Sequence, residues 1–143
     1  MLDLFHAVLG GIMAAIFVAI ARRYTERENG LFALGLLIAA LAYPAYGLGA
    51  LAPSRLGVEA AGVIVFAGFA ILGVYTSAWF LVLGWAAHGL WDLVIPASRD
   101  VGYLPSWYAV LCLGFDVVIA GYLAGRASAK IPPFRSEGES AAA

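Results

Sequence analysis

Three side chains able to hold or exchange a charge, His88, Asp92 and Asp116, stand inside long apolar runs of the sequence. In Trp85-Ala86-Ala87-His88-Gly89-Leu90-Trp91-Asp92 the histidine and the first aspartate are four residues apart. On a helix that spacing puts both on one face, a turn from each other. A neighbouring carboxylate orients the imidazole and fixes its tautomer, which suits a proton acceptor or a metal ligand. Further on, Tyr108, Cys112 and Asp116 follow at intervals of four, placing a phenol, a thiol and a carboxylate along one stripe. A structural alternative stands beside this chemistry. His88 and Asp92 can satisfy each other, and a neutral Asp116 donating one hydrogen bond would act as glue worth about 1 kcal/mol.

The chemistry must be positioned by helices in lipid. The chain has 143 residues, 64% hydrophobic and 12% charged, with a mean hydropathy of +0.93, which excludes both an ordinary soluble domain and a disordered one. A charged Asp near the centre of a spanning helix costs roughly 2.5–3.5 kcal/mol, so acids kept there face a bundle interior, a cavity or a partner. At about 20 residues per span the length accommodates four to six helices. The expectation is one all-α integral membrane bundle over residues 1–126 and a flexible cytoplasmic tail over 127–143. The net charge of −1 comes without a Lys/Arg cluster, which excludes a nucleic-acid surface. The single cysteine, Cys112, cannot form an intrachain disulfide and reads as a small buried hydrophobe.

Five apolar stretches, roughly 3–21, 30–52, 56–75, 77–95 and 106–125, have the length a hydrocarbon core requires. The first lacks a basic residue before it and reads as a retained helix rather than a cleaved signal. Only Tyr75-Thr76-Ser77 separates the third and fourth, which predicts a tight antiparallel hairpin or one broken element. Arg22, Arg23 and Arg27 in the first connection share a side with Arg126, Lys130 and Arg135, against Arg55 and Arg99 opposite. The positive-inside rule then gives a cell-membrane protein with its N-terminus outside and its C-terminus cytoplasmic. Pro105-Ser106 predicts the start of the last helix, with Tyr103, Trp107 and Tyr108 as an outer aromatic belt. Pro44 predicts a kink near Tyr43 and Tyr46. The small-residue pairs Gly10/Ala14, Gly11/Ala15, Gly35/Ala39 and Gly121/Gly125 predict close helix packing.

Counted at 1.5 Å per residue from the outer end of each helix, Asp116 lies about 15 Å deep, His88 about 10 Å, and His6, Glu59 and Asp92 about 5 Å. Trp85, Trp91, Tyr108, Cys112, Glu59 and His6 are the candidates to line a ligand site around His88, Asp92 and Asp116. A zinc or iron set drawn from His6, Glu59, His88 and Asp92 has a suitable mixture of donors. No H-E-x-x-H or other paired-histidine spacing supports it, and the expectation is no metal and no cofactor. No serine has a G-x-S-x-G context, and there is no glycine-rich phosphate loop.

The segments His88-Gly89-Leu90-Trp91-Asp92 and Leu113-Gly114-Phe115-Asp116, with Pro105-Ser106-Trp107-Tyr108 between them, resemble a family of small, uncharacterised multi-pass membrane proteins. The resemblance covers the last two spans. It implies that His88, Asp92 and Asp116 are signature polar positions, and it brings no reaction. Three functions compete. The first is binding or transport of a small ligand or protons reached from the outer face. Next is an enzyme acting on a lipid or isoprenoid-like substrate, with His88 as base, Asp92 orienting it and Asp116 as acid. Last is an assembly role, in which an acidic face exposed in the single chain is covered by a homo-oligomer or a membrane-protein partner.

Overall fold

The structure, a computed structural model, describes residues 2–49, 56–98, 105 and 107–129. Among these residues it is all-helical. The helices are α1 (Leu2–Ala21), α2 (Glu28–Gly49), α3 (Leu56–Tyr75), α4 (Ala78–Ser98) and α5 (Tyr108–Ser128), with a short 3-10 turn at Thr25–Arg27 before α2. Four of them, α1, α2, α3 and α5, are long and apolar enough to cross a membrane, while the apolar stretch of α4 covers Ala78–Val94. The expected all-α membrane bundle is therefore present. Arg55, Arg99, Tyr103, Ser106, Lys130 and Arg135, and the tail beyond, lie outside the described residues.

Packing makes α4 the centre. It touches α5, α3 and α2, whereas α1 joins the bundle chiefly through α5. The core gathers Phe32 and Leu36 from α2, Phe66 from α3, Leu81 and Trp85 from α4, and Ile119 and Leu123 from α5. Large apolar side chains such as Leu4, Ile12, Ile38, Ile64 and Leu90 point outward, as a lipid-facing surface requires.

Short-range chemistry fixes the connections. The α3–α4 hairpin is as tight as the sequence predicts. Thr76 Oγ1 donates to the Leu72 carbonyl at 2.5 Å, and Ser77 opens α4 by accepting the Trp79 N–H at 3.4 Å. Trp107 occupies the cap position of α5 without a side-chain capping bond. Helix α2 runs through Pro44 to Gly49. The small-residue pairs divide. A Cβ at Gly10 would run into the Leu111 carbonyl, and one at Gly35 would crowd Trp85 and Phe17 at 3.2 and 3.3 Å. At Gly121 and Gly125 a Cβ meets nothing within 4 Å. That corrects the expectation of close packing for this pair, because among the described residues no helix packs against these two positions of α5.

At the end of the bundle where α2 begins and α5 ends, Glu28 is buried and pairs with Arg126 Nη1 at 2.7 Å. Tyr122 donates its hydroxyl to the other Glu28 oxygen at 2.5 Å, and Arg126 also reaches Asn29 Oδ1 at 3.3 Å. Removing the guanidinium leaves a buried carboxylate with the phenol as its remaining bond. Arg126→Ala is therefore expected to lower stability by about 2 kcal/mol, with Arg126→Lys recovering part of it. Thermal unfolding in detergent checks this, and equal melting of the alanine variant and the parent would contradict it.

Candidate functional site

The fold brings His88, Asp92 and Asp116 together. His88 Nδ1 lies 2.8 Å from Asp116 Oδ2 and 3.5 Å from Asp92 Oδ2. Two helices build the site: α4 supplies His88 and Asp92 one turn apart, and α5 supplies Asp116. The three residues are each about 1% exposed. A glycine permits the approach, since a Cβ at Gly89 would stand 3.3 Å from Asp116 Cβ and 3.6 Å from its Oδ2. A side chain at 89 would crowd Asp116 and Leu113 of α5.

The surroundings are apolar and aromatic. The Phe66 ring lies edge-on to His88 at 5.0 Å and Trp85 at 6.5 Å, so water is excluded from two sides of the imidazole. From α2 the Ala39 carbonyl approaches the imidazole and Tyr43 approaches Asp92. Several buried polar atoms in this small volume form no hydrogen bond: His88 Nε2, both Asp92 oxygens and the Tyr43 hydroxyl. Buried polar atoms are nearly always paired, so such a concentration in one place makes this cluster the candidate site.

The other predicted residues are distributed around this centre. Trp85 is buried beside it, and Trp91 reaches it through Phe66, 5.8 Å away. Cys112 is half-buried and within electrostatic reach of Asp92. Tyr108 stacks edge-on against Tyr43 at 6.1 Å and Tyr46 at 5.4 Å, and these rings extend from the cluster toward the end of the bundle where α5 begins. His6 lies on Trp107 at 6.0 Å, on the α1 side of α5. Glu59 is buried in the first turn of α3.

The metal set drawn from His6, Glu59, His88 and Asp92 does not assemble. Among the described residues, the side chains whose donor atoms gather within 4.8 Å are His88, Asp92 and Asp116. The expectation tied to an assembly role also fails at this cluster, because the acids are buried within one chain rather than displayed on its surface. Sequence reasoning missed Tyr43 and Ala39 as neighbours of the site. They are four apart on α2, and that spacing is the signal that both share the face turned to α4.

No family model, no curated protein and no solved structure matches this chain.

Proposed function

We propose that the His88–Asp92–Asp116 cluster is an intramembrane binding site for a small cation, and that the protein takes up or moves protons, or a small ligand carrying the same charge, through it. The observation that carries this reading is a histidine held 2.8 and 3.5 Å from two carboxylates at 1% exposure, between two helices of an apolar bundle. Intramembrane acids and histidines are costly to keep and belong to ion and proton pathways. His88 is the central acceptor, Asp116 its hydrogen-bonded partner on α5, and Asp92 the second charge that holds a cation in place. An imidazole with acceptors around it can take a proton at one nitrogen and release it from the other.

Access is from the end of the bundle that bears Tyr108. The side chains of Tyr43, Tyr46, Tyr108 and Cys112 give that approach its polar atoms. Toward the opposite end, fully buried Ile119 and Leu123 separate the cluster from the Tyr122–Glu28–Arg126 network. The arrangement is that of a buried site with polar side chains leading away on one side and apolar packing on the other. Arg22, Arg23, Arg27 and Arg126 gather at the closed end, which the positive-inside rule makes cytoplasmic.

Purified protein in liposomes carrying an internal pH dye tests the reading. Under an imposed potential the parent is expected to acidify or alkalinise the lumen, and Asp116→Asn and His88→Gln to fall to the level of empty liposomes. Unchanged proton movement in both variants would remove the cluster from any pathway.

A further inference from the structure

We infer that the same three side chains bind one divalent transition-metal ion, coordinated by His88 Nδ1, Asp92 and Asp116. The inference rests on the cation-site reading above and names the class of cation. The first support is geometry. Donor atoms about 2.0–2.2 Å from a zinc or iron ion lie roughly 3.0–3.5 Å from one another in octahedral or tetrahedral coordination. His88 Nδ1 is 2.8 Å from Asp116 Oδ2 and 3.5 Å from Asp92 Oδ2, and all three donors fit within 4.8 Å. Small shifts of two carboxylates suffice to seat an ion. Gly89 keeps the space between α4 and α5 narrow enough for Asp116 to take part.

Charge supplies the second support. A neutral imidazole and two carboxylates carry −2, and one divalent ion brings the buried site to neutrality, which a single added proton does not. Both oxygens of Asp92, a residue 1% exposed, are without a hydrogen bond among the described residues, and its Oδ2 lies 3.5 Å from His88 Nδ1 and within 4.8 Å of the Asp116 donor. A metal ion meets that need directly.

The third support lies behind the histidine. A ligating imidazole gives its second N–H to a carbonyl or carboxylate, which fixes its tautomer. With Nδ1 on the ion, the ring proton sits on Nε2; the Ala39 carbonyl of α2 lies near the ring without bonding Nε2, and a small ring movement is needed to join them. One nitrogen and two carboxylates are the donor mixture of zinc, manganese or iron sites, not of copper(I), which prefers sulfur, nor of magnesium or calcium, which prefer oxygen alone. Three protein donors leave coordination positions open for water or another small ligand.

The test uses the full chain in nanodiscs, with any affinity tag removed, titrated with Co²⁺ and with Zn²⁺. One equivalent per chain is expected, with a visible Co²⁺ ligand-field band that Zn²⁺ displaces. Asp92→Asn and His88→Gln are expected to weaken binding by about tenfold or more. X-ray absorption of the parent at the cobalt edge adds a readout that needs no variant. One imidazole nitrogen in a shell otherwise of oxygen is expected, and a shell with sulfur or with no imidazole overturns the assignment. Absence of stoichiometric binding, or binding undiminished in both variants, overturns it as well. The proton assay is run in chelator, so its outcome stands apart: proton movement that persists in a chain without metal affinity keeps the cation-site reading and removes the metal.

Discussion

His88→Ala is expected to cost the bundle about 3–5 kcal/mol, the range for stripping one partner from a buried ionic group. The imidazole lies 2.8 Å from Asp116 and 3.5 Å from Asp92, both about 1% exposed, and its removal leaves two neighbouring carboxyl groups without their shared partner in an apolar enclosure lined by Phe66 and Trp85. It also opens a void beneath those rings, which adds to the loss. The diagnostic comparison is the double variant His88→Ala/Asp116→Asn. If repulsion between unpaired carboxylates dominates, the double variant melts higher than His88→Ala alone, a strong departure from additivity expected of groups in direct contact. Thermal unfolding of the three proteins in nanodiscs makes the comparison. Additive losses would mean that the cluster contributes packing rather than charge.

That His88 and Asp92 belong together was legible from spacing alone, because an interval of four on a helix dictates a shared face whatever surrounds it. Asp116 was legible as a deep acid for a similar reason: length and hydropathy place a helix in the hydrocarbon layer and therefore place its residues in depth. Its contact with His88 was not legible. It depends on α5 packing against α4, on Gly89 leaving room, and on the angle between the two helices, none of which one chain's pattern encodes. Tyr43 and Ala39 were hidden for the same reason, since only the packing of α2 against α4 brings their shared face to the cluster. Glu28 follows Arg27 in the first connection, where nothing in the local pattern predicts burial. Only the return of α5 to that end of the bundle shows it as the buried partner of Arg126. The glycine pairs make the point most sharply, because Gly10/Ala14 and Gly121/Gly125 have identical spacing and opposite surroundings.

The difference between those pairs yields the second large effect. Gly114→Ala is expected to destabilise the protein by about 3 kcal/mol or more, at the upper end of overpacking costs. Its new methyl group would collide with the Ala7 carbonyl, and the mirror change at Gly10 would collide with the Leu111 carbonyl. Both obstacles are helix backbone, so no side-chain rotation relieves them and the two helices must separate. Because α1 is attached chiefly through α5, separation there releases it from the bundle. The two substitutions act on one crossing, so the double variant is expected to lose far less than the sum of the singles. Gly121→Ala is the control, with nothing within 4 Å and the better helix propensity of alanine in its favour. Thermal unfolding in detergent ranks the set. The effect also reaches the site, since Gly114 is two residues from Asp116 and a displaced α5 draws that carboxylate away from His88. A Gly114→Ala protein that melts like the Gly121→Ala control would mean that α1 and α5 do not cross at these glycines.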